Sequence, residues 1–252
     1  MSDTVTAALL IIGNEILSGR TQDKNLTYLG RQCTALGVRL SEVRVVPDVE
    51  DEIVAALNAL RARYRYVFTT GGIGPTHDDI TAAAVAKAFG RKVIRHPEAV
   101  ARLSAHYEAR DREFNEARMK MAETPEGATL VDNPLSAAPG FRVENVYVLA
   151  GVPSVMQAMF DHVATTLEGG AKLLSRAIDC GLGEGRIAAG LGAVQADFAE
   201  VDIGSYPYFR EGVYGTILVL RGVDAQQIDA AAERVEALVR ELGGEPEPVD
   251  EP

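Results

Sequence analysis

Apolar runs alternate with amphipathic stretches along the first half of the chain. Residues 6–12, Thr-Ala-Ala-Leu-Leu-Ile-Ile, form a continuous apolar run that ends at Gly13. A run without polar alternation predicts a strand buried on both faces of a parallel sheet. Residues 14–24 are polar, and apolar positions then recur at Leu26, Leu29, Cys33 and Leu36, a helical spacing stopped by Gly37. Residues 38–46 predict a second strand, and 50–63 a helix with Ile53, Val54, Leu57 and Leu60 on one face. Residues 66–70 predict a third strand, followed after a glycine-rich loop by a helix over 79–89 that Gly90 closes. This repeated alternation predicts an α/β fold, a three-layer, doubly wound and mostly parallel sheet. Right-handed crossovers place every strand's carboxyl end on one side, where open α/β sheets bind ligands. Three polar loops meet there: 14–24, 47–51 and 71–79.

Residues 97–123 read as a charged helix or pair of helices, and 124–140, rich in Pro and Gly, as a loop. Residues 145–150 predict a strand, and Gly151-Val152-Pro153-Ser154 opens a helix running to about residue 168. The pattern changes after Gly169-Gly170: strand 173–179, helix 184–194, strands 199–205 and 212–221, helix 225–242. Tyr206-Pro207-Tyr208-Phe209 reads as an aromatic turn between the last two strands. That order predicts a small α+β domain, and its roughly 70 residues are marginal for independent stability. The expected division is residues 1–169, residues 170–243, and a disordered acidic tail at 244–252 whose charges are interleaved with proline.

Charge and cysteine content narrow the function classes. A net charge of −11 argues against a broad nucleic-acid surface. No apolar stretch reaches membrane-spanning length, and no basic segment precedes an apolar run at the N-terminus, so the cytoplasm is expected. Cys33 and Cys180 have no metal-ligand spacing, and Cys33 falls on an apolar helical stripe, which predicts a buried thiol in a reducing compartment. His96, His106 and His162 read as surface or packing residues, and His77 stands out only through its loop. Gly183-Glu184-Gly185-Arg186 has the outline of a nucleic-acid clamp loop, but the surrounding acidity argues against RNA.

The candidate chemistry concentrates in Thr70-Gly71-Gly72-Ile73-Gly74-Pro75-Thr76-His77-Asp78-Asp79, between a strand and a helix. Glycines there permit positive φ and a close backbone approach to a ligand. The following helix offers free N–H groups and a partial positive charge, which suit phosphate. A plain strand-to-helix turn capped by Asp78 or Asp79 accounts for fewer of these residues. Gly13-Asn14-Glu15-Ile16-Leu17-Ser18-Gly19, with Asp23 and Asn25 downstream, forms a second polar loop at a strand end. Asp23 serves equally well as a helix cap. Asp48, after Pro47, pairs with Asp79 as a second carboxylate for a divalent ion (Mg, Mn or Co). A phosphate site gains nothing from added negative charge unless a metal is present.

With these motifs in hand, the chain resembles the amino-terminal domain of the competence/damage-inducible protein A (CinA) family. The resemblance covers nearly the whole chain. It is carried by Gly13 to Gly19, Val45-Val46-Pro47-Asp48, Gly71 to Thr81, Pro125-Glu126-Gly127-Ala128, Asn133-Pro134, Ala138-Pro139-Gly140-Phe141 and Gly151-Val152-Pro153-Ser154. The chain is also similar to the molybdopterin-binding-type domain of eukaryotic FAD synthases and, more distantly, to molybdenum-cofactor biosynthesis proteins. The resemblance implies a molybdopterin-binding-like fold with a KH-like second domain that does not bind RNA. It implies a metal-dependent pyrophosphatase acting on ADP-ribose or FAD, with Asp79 and Asp48 as catalytic and metal-binding residues, and a homo-oligomer. Ligand contacts are expected at Gly71, Gly72, Gly74, Pro75, Thr76, His77, Asp78, Asn14, Glu15, Ser18, Gly19, Asn25, Gly151 and Pro153. Lys120 or Arg118 would neutralise phosphate charge. Two alternatives share the loop: a molybdopterin-binding or adenylylating protein, and a non-catalytic nucleotide-binding module. Longer family members carry a nicotinamide-nucleotide deamidase domain, an activity not expected of these residues. Asn14 stands where relatives commonly have Thr or Asp, which puts substrate choice in question.

Overall fold

The computed structural model describes residues 4–210 and 212–250, which fall into two compact units divided after Gly170. Met1–Asp3 and Glu251–Pro252, in the polar N-terminus and the acidic tail, lie outside the described residues. In the first unit the elements run β1 (Val5–Ile12), α1 (Asn14–Leu17), α2 (Asn25–Ala35), β2 (Val38–Val46), α3 (Glu50–Arg61), β3 (Tyr66–Thr70) and α4 (Thr81–Ala88). They continue with β4 (Val93–Arg95), α5 (Pro97–Glu108), α6 (Glu116–Met119), β5 (Glu123–Pro125), β6 (Thr129–Val131), β7 (Gly140–Val143), β8 (Val146–Leu149) and α7 (Pro153–Ala164).

Six of these strands form one sheet in the order β2-β1-β3-β8-β7-β6. The first four are parallel, while β7 and β6 close the far edge antiparallel. The continuous apolar run of β1 is explained by its place inside this sheet. Ala8, Leu10 and Ile12 face a core with Ile53, Leu57 and Leu60 of α3 and Val85 of α4. Ala7, Leu9 and Ile11 face the other core, with Leu29 and Cys33 of α2 and Met156, Phe160 and Val163 of α7. Alternate residues therefore serve two hydrophobic layers, and neither face of the strand tolerates charge. Phe68 of β3 lies in the second layer, edge-on to Phe160 with ring centroids 5.2 Å apart. The chain winds from β1 outward to β2, then back across β1 to β3. That reversal opens a crevice between the carboxyl ends of β1 and β3.

Several local expectations are corrected. Helix α4 begins at Thr81, not at residue 79, because the Asp79 carboxylate turns back onto Thr76 and stays in the loop. The helical reading of 97–123 holds only to Glu108. The chain then folds back, stacking Phe114 on Tyr107 at 5.7 Å, before the short α6 and a 3-10 turn at Lys120–Ala122. The loop read over 124–140 contains β5 and β6, and β4 and β7 were not anticipated. Strands of three or four residues hold too few positions to reveal a period.

The second unit contains β9 (Leu174–Asp179), α8 (Glu184–Asp197), β10 (Asp202–Arg210), β11 (Val213–Gly222), α9 (Ala225–Glu241) and β12 (Glu247–Val249). Its antiparallel sheet has the order β10-β11-β9-β12. Ile178, Leu218 and Leu220 on one sheet face pack against Ile187 and Val194 of α8 and Ile228, Val235 and Val239 of α9. The expectation of a disordered tail is overturned in part, since β12 pairs with β9. The aromatic segment 206–209 is not a turn but part of β10, where Tyr208 lies opposite Gly215. Its ring occupies the space a Cβ at 215 would need, with the nearest atoms at 2.3 Å.

Among the described residues, no helix is long and apolar enough to cross a membrane. Cys33 and Cys180 are both buried and unpaired. Burial pushes the Cys33 thiol up to about 12 and raises that of Cys180. The native protein is therefore expected to resist a disulfide reagent such as DTNB at about pH 8. Both thiols should react once urea unfolds the chain. Rapid stoichiometric labelling of native protein would contradict the packing described for these positions.

Candidate functional site

Four loops follow the carboxyl ends of the parallel strands, and backbone contacts tie them together. Gly13 donates its N–H to Val46 O at 3.1 Å, joining the ends of β1 and β2. Asn14 N–H donates to Asp48 Oδ2 at 2.9 Å, which draws the Asp48 carboxylate from the end of β2 toward the end of β1. Gly71 donates to Leu149 O at 3.3 Å, joining β3 to β8. The buried Asn25, first residue of α2, donates its side-chain amide to Gly151 O at 2.9 Å.

The loop after β3 is held from within. Gly71 has φ +102°, and a Cβ there would lie 2.2 Å from Ile12 O. Gly72 has φ +68°, and its Cβ would lie 2.2 Å from the Thr81 hydroxyl oxygen. Thr81 is fully buried, donating its hydroxyl to Gly71 O at 2.9 Å and its amide to Gly72 O at 3.0 Å. The Thr76 amide and hydroxyl both donate to Asp79 Oδ2, at 2.8 and 2.5 Å. Lys120 donates its ammonium to Thr76 O, tying α6 to the loop. Among the described residues, the amides of Gly72, Ile73 and Gly74 have no acceptor. Successive unpaired N–H groups of this kind form an anion-binding concavity. A pocket of about 180 Å³ lies beside them, lined on the polar side by Asp79, Lys120 and Glu123 and on the apolar side by Ile80, Met121, Pro139 and Phe141.

Comparison with known proteins follows this geometry. Residues 8–169 match a probable molybdopterin binding domain, and residues 172–243 match the FAD synthase middle domain. A solved CinA structure from Thermoplasma acidophilum superposes with a TM-score of 0.60 at 31% identity, covering 66% of this chain and 99% of that one. The chain belongs to the CinA family. A CinA-like protein of Salinibacter ruber is 34% identical over 95% of this chain, which spans 60% of that protein's length. A protein of Aeropyrum pernix is 35% identical over 97% of both chains.

In this CinA-family chain the expected ligand residues fall into three contact groups. Asp48 meets Asn14; Asp79 meets Thr76, which also holds Lys120; Asn25 meets Gly151, itself packed within 3.3 Å of Gly71 Cα at its Cβ position. Pro75, Thr76, His77 and Asp78 form the exposed tip of the loop. The Thr76 hydroxyl nearby and Asp78's own amide, with positive charge on His77 and Lys120, hold the Asp78 carboxyl below the usual carboxylate range. Ser18 and Gly19 are exposed, the Ser18 hydroxyl donating to Glu15 O, and the Glu15 carboxylate lies against Gly13. Pro153 begins α7. Asp23 accepts the Leu26 amide at 2.8 Å, as a helix cap does. Arg118 is not at the loop, since its guanidinium stacks over Tyr107 at 4.4 Å. Thr81, Pro139 and Phe141 lie in motifs that carry the resemblance but, like Met121, are not among the expected ligand contacts; long-range packing brings Met121, Pro139 and Phe141 to the loop.

Asp48 and Asp79 each keep one carboxylate oxygen open to a ligand. Each has Oδ2 engaged by the protein and Oδ1 without a partner among the described residues. Mg²⁺ typically takes one or two carboxylates and completes its shell with water and phosphate oxygens. Among the described residues, no cluster of three or more His, Cys, Asp or Glu side chains is arranged around a metal position. The donor set therefore suits a hydrated, substrate-bridged ion better than a zinc cage.

Gly71→Ala is expected to lower stability by about 2 kcal/mol or more, through positive φ and the clash with Ile12 O. ADP binding measured by calorimetry should be lost in the same variant. A variant that melts and binds like wild type would show that the approach of Gly71 to Ile12 is dispensable.

Proposed function

We propose that this chain is a metal-dependent nucleotide pyrophosphatase that cleaves a nucleotide diphosphate such as ADP-ribose or FAD and releases AMP. The observation that carries the reading is the row of three unpaired amides, Gly72 to Gly74, beside an Asp79 held by one oxygen. Those amides would hold the non-bridging oxygens of the pyrophosphate. Water adds to one phosphorus, the bridging P–O bond breaks, and the departing phosphate takes the electron pair. Mg²⁺, Mn²⁺ or Co²⁺ held by Asp48 and Asp79 would polarise a phosphoryl oxygen and lower the pKa of an attacking water. Thr76 fixes the orientation of Asp79 through two hydrogen bonds, and Lys120 holds Thr76 in turn. Lys120 thus acts first as a positioning residue, with its charge close to the bound phosphate.

A nucleotide rather than inorganic pyrophosphate is supported by Asn25. Its Oδ1 is buried without a hydrogen-bond partner, as is the Thr70 hydroxyl at the end of β3. A buried acceptor of this kind calls for a donor on the ligand, such as an exocyclic amine or a ribose hydroxyl. The net charge supports a small-molecule partner over nucleic acid, and two buried free thiols support a cytoplasmic location. A homo-oligomer is the expected assembly. The matched molybdopterin-binding domain favours a second reading, in which the loop holds a pterin phosphate for binding or adenylylation.

AMP release from ADP-ribose and FAD, assayed with Mg²⁺, Mn²⁺ and Co²⁺ in turn, distinguishes these readings. Turnover is expected with at least one metal, to stop with EDTA, and to fall roughly a hundredfold or more in Asp79→Ala. Asp48→Ala should raise the metal concentration needed. Melting temperatures should change little, since both side chains lie at the loop surface. Hydrolysis surviving in Asp79→Ala would sink the mechanism. Molybdopterin binding with adenylyl transfer from ATP, and no hydrolysis, would establish the second reading.

A further inference from the structure

A second cavity, of about 580 Å³, opens at the opposite end of the same sheet. It is lined by Tyr66, the first residue of β3, and by Tyr147 near the start of β8, with Arg65, Arg142, Thr166 and Glu168 around them. The glycine loop leaves β3 at its other end, five residues further on. At a rise of about 3.3 Å per residue, roughly 15 Å of buried strand separates the two sites. The cavity is therefore no extension of the phosphate loop.

Arg65, Arg142, Glu144 and Glu168 line it, and both glutamates pair with arginines other than Arg142. Glu168 pairs with Arg65 at 2.9 Å, and Glu144 pairs with Arg91 at 3.4 Å. Arg142 has no carboxylate within ion-pair reach among the described residues. Its Nε donates to the backbone carbonyl of Glu144 at 2.7 Å, which leaves both terminal amino groups open. In a chain of net charge −11, this guanidinium is uncompensated at the cavity wall. It also has a fixed plane, since its Cζ stands 5.0 Å from the Tyr147 ring centroid.

The floor is rigid and aromatic. Tyr66 and Tyr147 meet edge to face, with centroids 6.2 Å apart. The Tyr66 hydroxyl accepts the Glu168 amide at 2.9 Å and donates to Glu168 O at 3.2 Å. The Thr166 hydroxyl gives its proton to Val163 O at 2.8 Å and also meets the Tyr147 hydroxyl.

We infer that this cavity binds a planar organic anion, a carboxylate or phosphate carried on a ring, with the anion on the exposed Arg142 and the ring at the edge that the largely buried Tyr66 leaves open. The volume lies within the range of small-molecule pockets, about 300–1,000 Å³. A terminal fork of two amino groups suits either anion.

Calorimetric titration of the full chain with benzoate and with phenyl phosphate tests this site and tells the two anions apart. One saturable equivalent is expected for at least one probe. Arg142→Met should weaken it roughly tenfold or more, and Arg142→Lys should fall between. Circular dichroism of both variants checks that loss of the Tyr147 contact leaves the fold intact, and the lysine variant keeps the test decisive if the methionine variant unfolds. No saturable binding of either probe, or equal affinity in wild type and both variants, overturns the proposal. The outcome is separable from pyrophosphatase activity, because Arg142 takes no part in that reaction and any phenyl phosphate held at the glycine loop would bind wild type and both Arg142 variants equally.

Discussion

A side chain at position 71 would have to share space with the Ile12 carbonyl, 2.2 Å from where its Cβ would stand. This contact between the ends of β1 and β3 determines the rest of the site. It brings the strand on each side of the topological reversal to the same level, so the crevice between them is narrow and lined by backbone. Once Gly71 and Gly72 adopt positive φ, their carbonyls point back into the protein. There Thr81, at the start of α4, accepts neither but donates to both, one with its hydroxyl and one with its amide. The amides of Gly72, Ile73 and Gly74 are left without an acceptor among the described residues. A row of free donors is thus the remainder of a loop whose carbonyls are satisfied internally.

Carboxylates placed beside that donor row need an account, because they repel the anion that the amides attract. Each is immobilised by the protein through a single oxygen, Asp48 by the Asn14 amide and Asp79 by Thr76. Because Asp48 is held by a backbone amide, any residue at 14 except proline would supply the same N–H. The substrate question raised by Asn14 then concerns its exposed side chain, not the placement of Asp48. A cation between the carboxylates and a bound phosphate would reverse the sign of the interaction.

The sequence reveals features that depend on local periodicity or on glycine chemistry, and hides those that depend on distant partners. The double burial of β1 is readable because all of its positions must be apolar, and the loop from Gly71 is readable because three glycines in four residues have few other uses. By contrast, β4, β5, β6 and β7 exist only through pairing between segments up to about thirty residues apart, and each is too short to show a pattern. The same limit explains β12, whose Glu247 and Pro248 resemble a disordered tail until β9 supplies an edge. Tyr208 read as a turn residue because its reason for being in a strand, the missing side chain at Gly215, lies on the neighbouring strand. Lys120 was chosen for its charge, yet its position is explained by the Thr76 carbonyl it reaches.

Parallel strands divide the chemistry of this fold between two ends. At the carboxyl end, strands finish with glycines and the chain turns sharply, so recognition falls to main-chain donors with few side chains. At the amino end, large residues stand at the first position of β3 and the second of β8, Tyr66 and Tyr147, and recognition there would come from side chains: rings and guanidinium groups. Backbone amides would hold phosphate oxygen with little regard to what the phosphate carries, whereas a guanidinium beside aromatic residues would respond to the shape attached to the anion. Phe68 spans the interval, buried between Tyr147 and Phe160 in the middle of β3. Because that interval is filled by close-packed side chains, ligands at the two ends would not touch each other. The two ends therefore share a scaffold while remaining free to change their ligands separately.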